Sequence, residues 1–166
     1  MSDSPRVTLL LVVGVISAVL ISPRIAYAQS AGTDPTWTVL DVTAAINRAI
    51  EESKDGVELR EKVVRRFSEC SLMYGGLSTL ASNAEAKKNY VQAQAATMEV
   101  EWTIGKPLQT EKRLEIEEAA RKSVAMMLRA MKVQGNNKEV GPLLKDCKAL
   151  NDLKEIKNAL RELALH

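Results

Sequence analysis

Between residues 58 and 81, Leu59, Val63, Phe67, Cys70, Tyr74, Leu77 and Ala81 recur at alternating steps of four and three. That spacing lines them along one stripe of an α-helix, with Val64 and Met73 widening it. A strand would scatter the same residues over both faces of a sheet. The stripe also holds one of the chain's 2 cysteines. The inward face of a long helix is therefore expected to carry Cys70, and any partner for it must lie on a neighbouring element.

Four other segments carry the same kind of period. Residues 41–54 place Val42, Ala45, Ile46, Ala49 and Ile50 on one face. Asp55-Gly56 is expected to close this short helix, with Gly56 in a left-handed C′ position, and Trp37 and Val39 to fold back onto the domain. Ser82 and Glu85 have the spacing of a capping box, in which each side chain satisfies the other end's free N–H. The helix after them, to about residue 104, is expected to bury Tyr90, Val91, Ala95, Met98 and Trp102. Gly105-Lys106-Pro107 ends it.

Residues 110–133 form the next helix, with Leu114, Ala120, Val124, Met127, Leu128 and Met131 inward. Its glutamates crowd the first half and Arg129 and Lys132 the end, matching the helix dipole. Residues 142–163 read as one last helix that starts on Pro142, where a missing N–H is harmless. Leu143, Cys147, Leu150, Leu153, Ile156, Leu160 and Leu163 form its buried side. Alternating β-branched runs, hairpin turns and Gly-rich phosphate loops do not occur after residue 28.

The fold class that follows is all-α: an up-and-down four-helix bundle with a short extra N-terminal helix and one interhelical disulfide. Cys70 and Cys147, separated by 77 positions, would tie the first long helix to the last, which are neighbours in a closed ring of four. The chain divides into a leader at 1–28, an extended segment at 29–40 and a bundle domain at 41–166.

The leader sets the compartment. Arg6 precedes the apolar run 7–22, and Ala26-Tyr27-Ala28 supplies small residues at −3 and −1 to a cut after Ala28. This is the layout of a secretory signal peptide. The run is shorter than the roughly 20 residues of a spanning helix, although an uncleaved N-terminal anchor is the alternative. Two cysteines in an exported chain pair by default. Lack of any Asn-x-Ser/Thr site and the Ala-Tyr-Ala cut favour a bacterial periplasm over eukaryotic secretion.

Composition and motifs exclude more than they assign. The net charge is +2, and Arg65-Arg66 and Lys87-Lys88 sit among acids, so no basic stripe points to nucleic acid or a membrane surface. The single histidine is His166, the final residue. Ser/His or Cys/His catalysis, a di-iron Glu-x-x-His site, a zinc cluster and haem ligation each lack a part. Glu115 and Glu118, and Glu99 and Glu101 beside Trp102, are the carboxylate pairs of a solvated helix rather than a glycosidase cleft. No cofactor is expected.

Two features remain. Gly75-Gly76 interrupts a helix at a cost of about 2 kcal/mol relative to alanine. Close approach of neighbouring helices would explain it, and a ligand pocket beside Tyr74 is the alternative. Met127 and Met131 share a helical face and are weak candidates for soft copper ligation, against the ordinary reading as core filler. The function expected from this inventory is a small exported, periplasmic, non-enzymatic helical protein. It would act through contacts with a protein of the cell envelope, as an adaptor, an inhibitor or a stress accessory factor. The alternative is a binding module for a small apolar ligand or copper in the bundle core. An enzyme working with carboxylates and Tyr74 ranks third. The leucines at 160, 163 and 165 leave self-association open.

Overall fold

The computed structural model describes residues 38–134 and 138–165. The expected signal peptide 1–28, the extended segment as far as Trp37, the Gly135-Asn136-Asn137 stop and His166 lie outside those residues. Among the described residues six helices follow in order: α1 (Val39–Glu52), α2 (Gly56–Leu80), α3 (Ala84–Gly105), α4 (Thr110–Gln134), α5 (Val140–Leu150) and α6 (Ile156–Leu165). No strand occurs among the described residues. None of these helices is long and apolar enough to cross a membrane.

Local chemistry sets several boundaries differently from the sequence expectation. Helix α1 starts at Val39, inside the segment 29–40 expected to be extended. The reason is a capping box: Thr38 N–H donates to Asp41 Oδ2 at 2.9 Å while Asp41 N–H donates to Thr38 Oγ1 at 3.3 Å. The Thr38 N–H, and the Thr38 hydroxyl that donates to the same Oδ2 at 2.7 Å, hold the Asp41 carboxyl below its usual range. The box expected at Ser82 and Glu85 is absent. Asn83 caps α3 instead, its Oδ1 accepting from Glu85 N at 2.8 Å and Ala86 N at 3.4 Å. Gly56 opens α2 rather than closing α1, and its bare Cα lets the Ile50 carbonyl approach, since a Cβ there would stand 2.5 Å from that oxygen.

The expected single helix over 142–163 is two. Asn151 turns its Nδ2 back to the Cys147 carbonyl at 2.8 Å, and Asp152 Oδ1 accepts from Lys154 N at 2.9 Å. The Asp152 carbonyl then receives the N–H groups of Glu155 and Ile156 and starts α6. Such local side-chain bonds compete with the helix ladder.

Helix α2 is the spine, packing against each of the other five helices. Two apolar clusters lie along it. The first joins Val42, Ile46 and Ile50 of α1 to Leu59, Val63, Val64 and Phe67 of α2, with Val100, Ile104, Ile116, Leu150, Ile156 and Leu160. Phe67 is fully buried there and contributes on the order of 2–3 kcal/mol of burial. The second cluster gathers Cys70, Met73, Val124, Val140, Leu143 and Cys147. Arg60 binds the elements of the first: its Nη1 donates to the Ile104 carbonyl at 2.9 Å, at the end of α3, and to Asn47 Oδ1 of α1 at 3.2 Å.

The inward faces of α2, α5 and α6 are those expected from sequence, but α3 is turned over. The residues of α3 in the core are Ala96, Thr97, Val100, Ile104 and Gly105, not Val91, Ala95, Met98 and Trp102. Small side chains let α3 lie close along α2, and buried Thr97 satisfies its hydroxyl on the Ala93 carbonyl at 2.6 Å. Tyr90 is half-buried. On α4 the core takes Ile116, Ala120 and Val124, and Leu114, expected inward, is 61% exposed.

Candidate functional site

Cys70 of α2 and Cys147 of α5 meet at disulfide distance, with Sγ–Sγ 2.02 Å and Cα–Cα 5.6 Å. One turn further along α2 come Gly75 and Gly76. Successive helical residues point about 100° apart, so the two glycines face different neighbours. A Cβ on Gly75 would stand 2.7 Å from Gln94 Nε2 of α3, and one on Gly76 would collide with Leu128 Cδ1 of α4. The space beside both glycines is occupied by side chains of flanking helices. Tyr74 stacks on Tyr90 with ring centroids 6.4 Å apart, and burial, with Tyr90 nearby, pushes its hydroxyl up to about 12. The structure thus places Tyr74, Gly75 and Gly76 together on α2 against side chains of α3 and α4.

Met127 and Met131 lie half-buried against the second cluster, beside fully buried Met73 and the cysteine pair. Met98 stands apart on α3. No group of three or more His, Cys, Asp or Glu residues suited to a metal ion occurs among the described residues.

Two charged arrangements were not anticipated from sequence. Glu69, next to Cys70, is buried, with its oxygens 3.4 Å from Arg65 Nε and 3.3 Å from Arg66 Nη1. Arg66 reaches on to Asp146 at 3.6 Å and so links α2 to α5 beside the cysteines. It also borders a cleft of about 490 Å³ between α2 and the α5–α6 pair, whose walls include Lys145, Glu155, Asn158 and Glu162. Charges of both signs line it, the Arg66–Asp146 pair among them. Across the molecule, Ser68 donates to Glu101 Oε1 at 2.6 Å. Partial burial still raises the Glu101 carboxyl above its usual range; Glu117 adds to the rise, while the Ser68 bond and Arg113 oppose it.

The overturned face of α3 presents an aligned apolar stripe. Val91, Met98 and Trp102 are 48%, 52% and 57% exposed, with exposed Ala95 between them. Their steps of four, three and four align them on the side of α3 opposite Ala96, Val100 and Ile104. Scattered exposed apolar residues are ordinary, but an aligned set is not. Arg113 of α4 lies over the Trp102 ring, its guanidinium carbon 4.3 Å from the centroid, and fixes the indole at the surface. The 4-3-4 spacing was legible; only the side it faces was misassigned. The signal that could have corrected it is the second period, Ala93, Ala96, Val100 and Ile104, whose small members suit the close approach that Gly75-Gly76 implies. No protein-family model matches the chain, and no curated protein or solved structure is significantly similar to it.

Proposed function

We propose that this chain is a small exported, non-enzymatic helical protein whose work is protein contact, made through the outward face of α3. In this reading α2, α3, α4 and the α5–α6 pair are the four members of an up-and-down bundle, with α1 laid against them. The observation that carries it is the stripe of Val91, Ala95, Met98 and Trp102 on a helix whose opposite side already fills the core. Aromatic and Met side chains held at a surface are the residues that anchor interfaces. Export is supported by the signal-like leader and by the cysteine pair at disulfide distance, which suits an oxidising compartment.

The test is size-exclusion chromatography of the exported fraction of cells making the full chain, beside a Met98→Ser/Trp102→Ser variant. The wild-type chain is expected in an assembly larger than a monomer, and the variant at monomer size with an unchanged helical circular dichroism spectrum. A wild-type chain that elutes as a monomer overturns the reading. Intact mass of the same material checks the cut after Ala28.

A further inference from the structure

We propose that the occupant of the outward α3 face is a second copy of this chain, docked antiparallel about a two-fold axis beside Ala95. The inference rests on the reading of that face as a docking surface and names its partner. A 4-3-4 seam is the spacing with which two helices pack along their length. In an isologous interface every contact occurs twice. With the axis at Ala95, the smallest residue lies where the helices cross and permits their approach. Val91 then comes opposite Met98 of the other copy, and Trp102 lies over the other copy's first turns.

The charges flanking the stripe select the direction. Every charged side chain of α2 has an ion pair or hydrogen bond within the chain: Glu58 with Lys62, Glu61 with Lys112, Arg65 and Arg66 with Glu69, and Arg60 with Asn47 and the Ile104 carbonyl. On α3, Glu85, Lys87, Lys88 and Glu99, and just past its end the C-cap residue Lys106, are exposed and form no ion pair among the described residues. Lys88, Glu99, Glu85 and Lys106 fall on one flank of the stripe, and Lys87 and Glu101 on the other. Antiparallel docking sets like flank against like flank. It therefore brings Lys88 to Glu99 and Glu85 to Lys106, each with the other copy's residue. Both pairings refer to the same axis within about one turn of Ala95. A parallel pair would set lysine beside lysine and glutamate beside glutamate. The stripe is short, so the dimer belongs at the small end of stable interfaces and is concentration-dependent.

The experiment places photoreactive p-benzoyl-phenylalanine at Ala95 in the full chain, irradiates the exported fraction and the purified protein, and maps the products by mass spectrometry. The expected product has twice the mass of the chain and joins α3 to α3. Its yield at fixed low concentration is expected to fall about tenfold for Lys88→Glu and for Glu99→Lys, and to return in the double variant, since each reversal places like charges together twice. A twofold-mass product whose yield ignores these reversals, or a cross-link to residues 1–37 of the same chain, overturns the antiparallel dimer. A product containing a different protein also overturns it but leaves the contact function standing. No product at all overturns both.

Discussion

Replacing Gly76 by alanine separates a packed seam from an open pocket. In a helix interior the change by itself stabilises by about 1 kcal/mol, because glycine gives up more backbone freedom on folding. The surroundings oppose that gain. A Cβ on Gly76 would overlap Leu128 Cδ1 and stand 3.1 Å from Cδ2 and 3.2 Å from Cγ, so the whole end of the leucine is in the way. Overpacking of this kind costs about 1–3 kcal/mol. The net expectation is a destabilisation of about 1 kcal/mol, measured by urea unfolding followed by circular dichroism. In a Leu128→Ala background the obstacle is gone and the same substitution should stabilise by about 1 kcal/mol. The double-mutant cycle then gives a coupling of about 2 kcal/mol between Gly76 and Leu128. Gly75→Ala is the internal control: its Cβ meets only the movable end of Gln94, so the cost is smaller and the helix gain offsets more of it. If Gly76→Ala stabilises equally in both backgrounds, space is free beside Gly76 and the pocket reading displaces the seam.

Replacing Cys70 and Cys147 together by serine opens a loop of 77 positions and should lower unfolding stability by about 4 kcal/mol, read as a lower urea midpoint; an unchanged midpoint would mean the pair does not cross-link the folded chain. For Glu101, a folded-state carboxyl raised above its unfolded value means the native protein holds the proton more tightly. Its contribution is present below pH 4.5 and is lost as pH rises through the folded value. Glu101→Gln keeps an acceptor for Ser68 and should flatten that part of the stability–pH curve, whereas an unaltered slope would assign it to other groups. Met127→Leu/Met131→Leu, tested by equilibrium dialysis against Cu(I), is expected to leave copper retention unchanged, and a clear loss with the fold intact would make the methionines ligands.

What the sequence made legible depends on how one-sided each helix is. Helix α2 has one apolar stripe, broad and bulky, and its face, its length and the inward place of Cys70 could all be read from spacing. Helix α3 has two. Period alone ranks Met98 and Trp102 above Ala96 and Thr97 because hydrophobic weight follows size, yet the gap beside α2 admits only small side chains. Buried Thr97 was invisible for the same reason, its polarity being cancelled by a bond within its own helix. The break after Leu150 lay in Asn151 and Asp152, weak helix formers that a run of well-spaced leucines outvoted. At the site level, Gly75-Gly76 marked the place but could not say which side chains lie beside it, Gln94 of α3 and Leu128 of α4. The exposed α3 stripe was present in the spacing and lacked only its direction, which depends on the rest of the fold.

The division of the core into two clusters along α2 has a consequence for how the native protein opens. Helices α1 and α6 are held by the first cluster alone, α4 and α5 reach from the second cluster into the first through Ile116 and Leu150, and α2 belongs to both. Fluctuations can release α1 and α6 without dissolving the second cluster, whereas releasing α4 and α5 disturbs both, and the middle of α2 is freed only when both clusters go. The amides from Val63 to Met73 should therefore exchange with deuterium only through global unfolding. Those of α6, short and at the edge, should exchange earliest, so the chain has a slow axis with a faster edge.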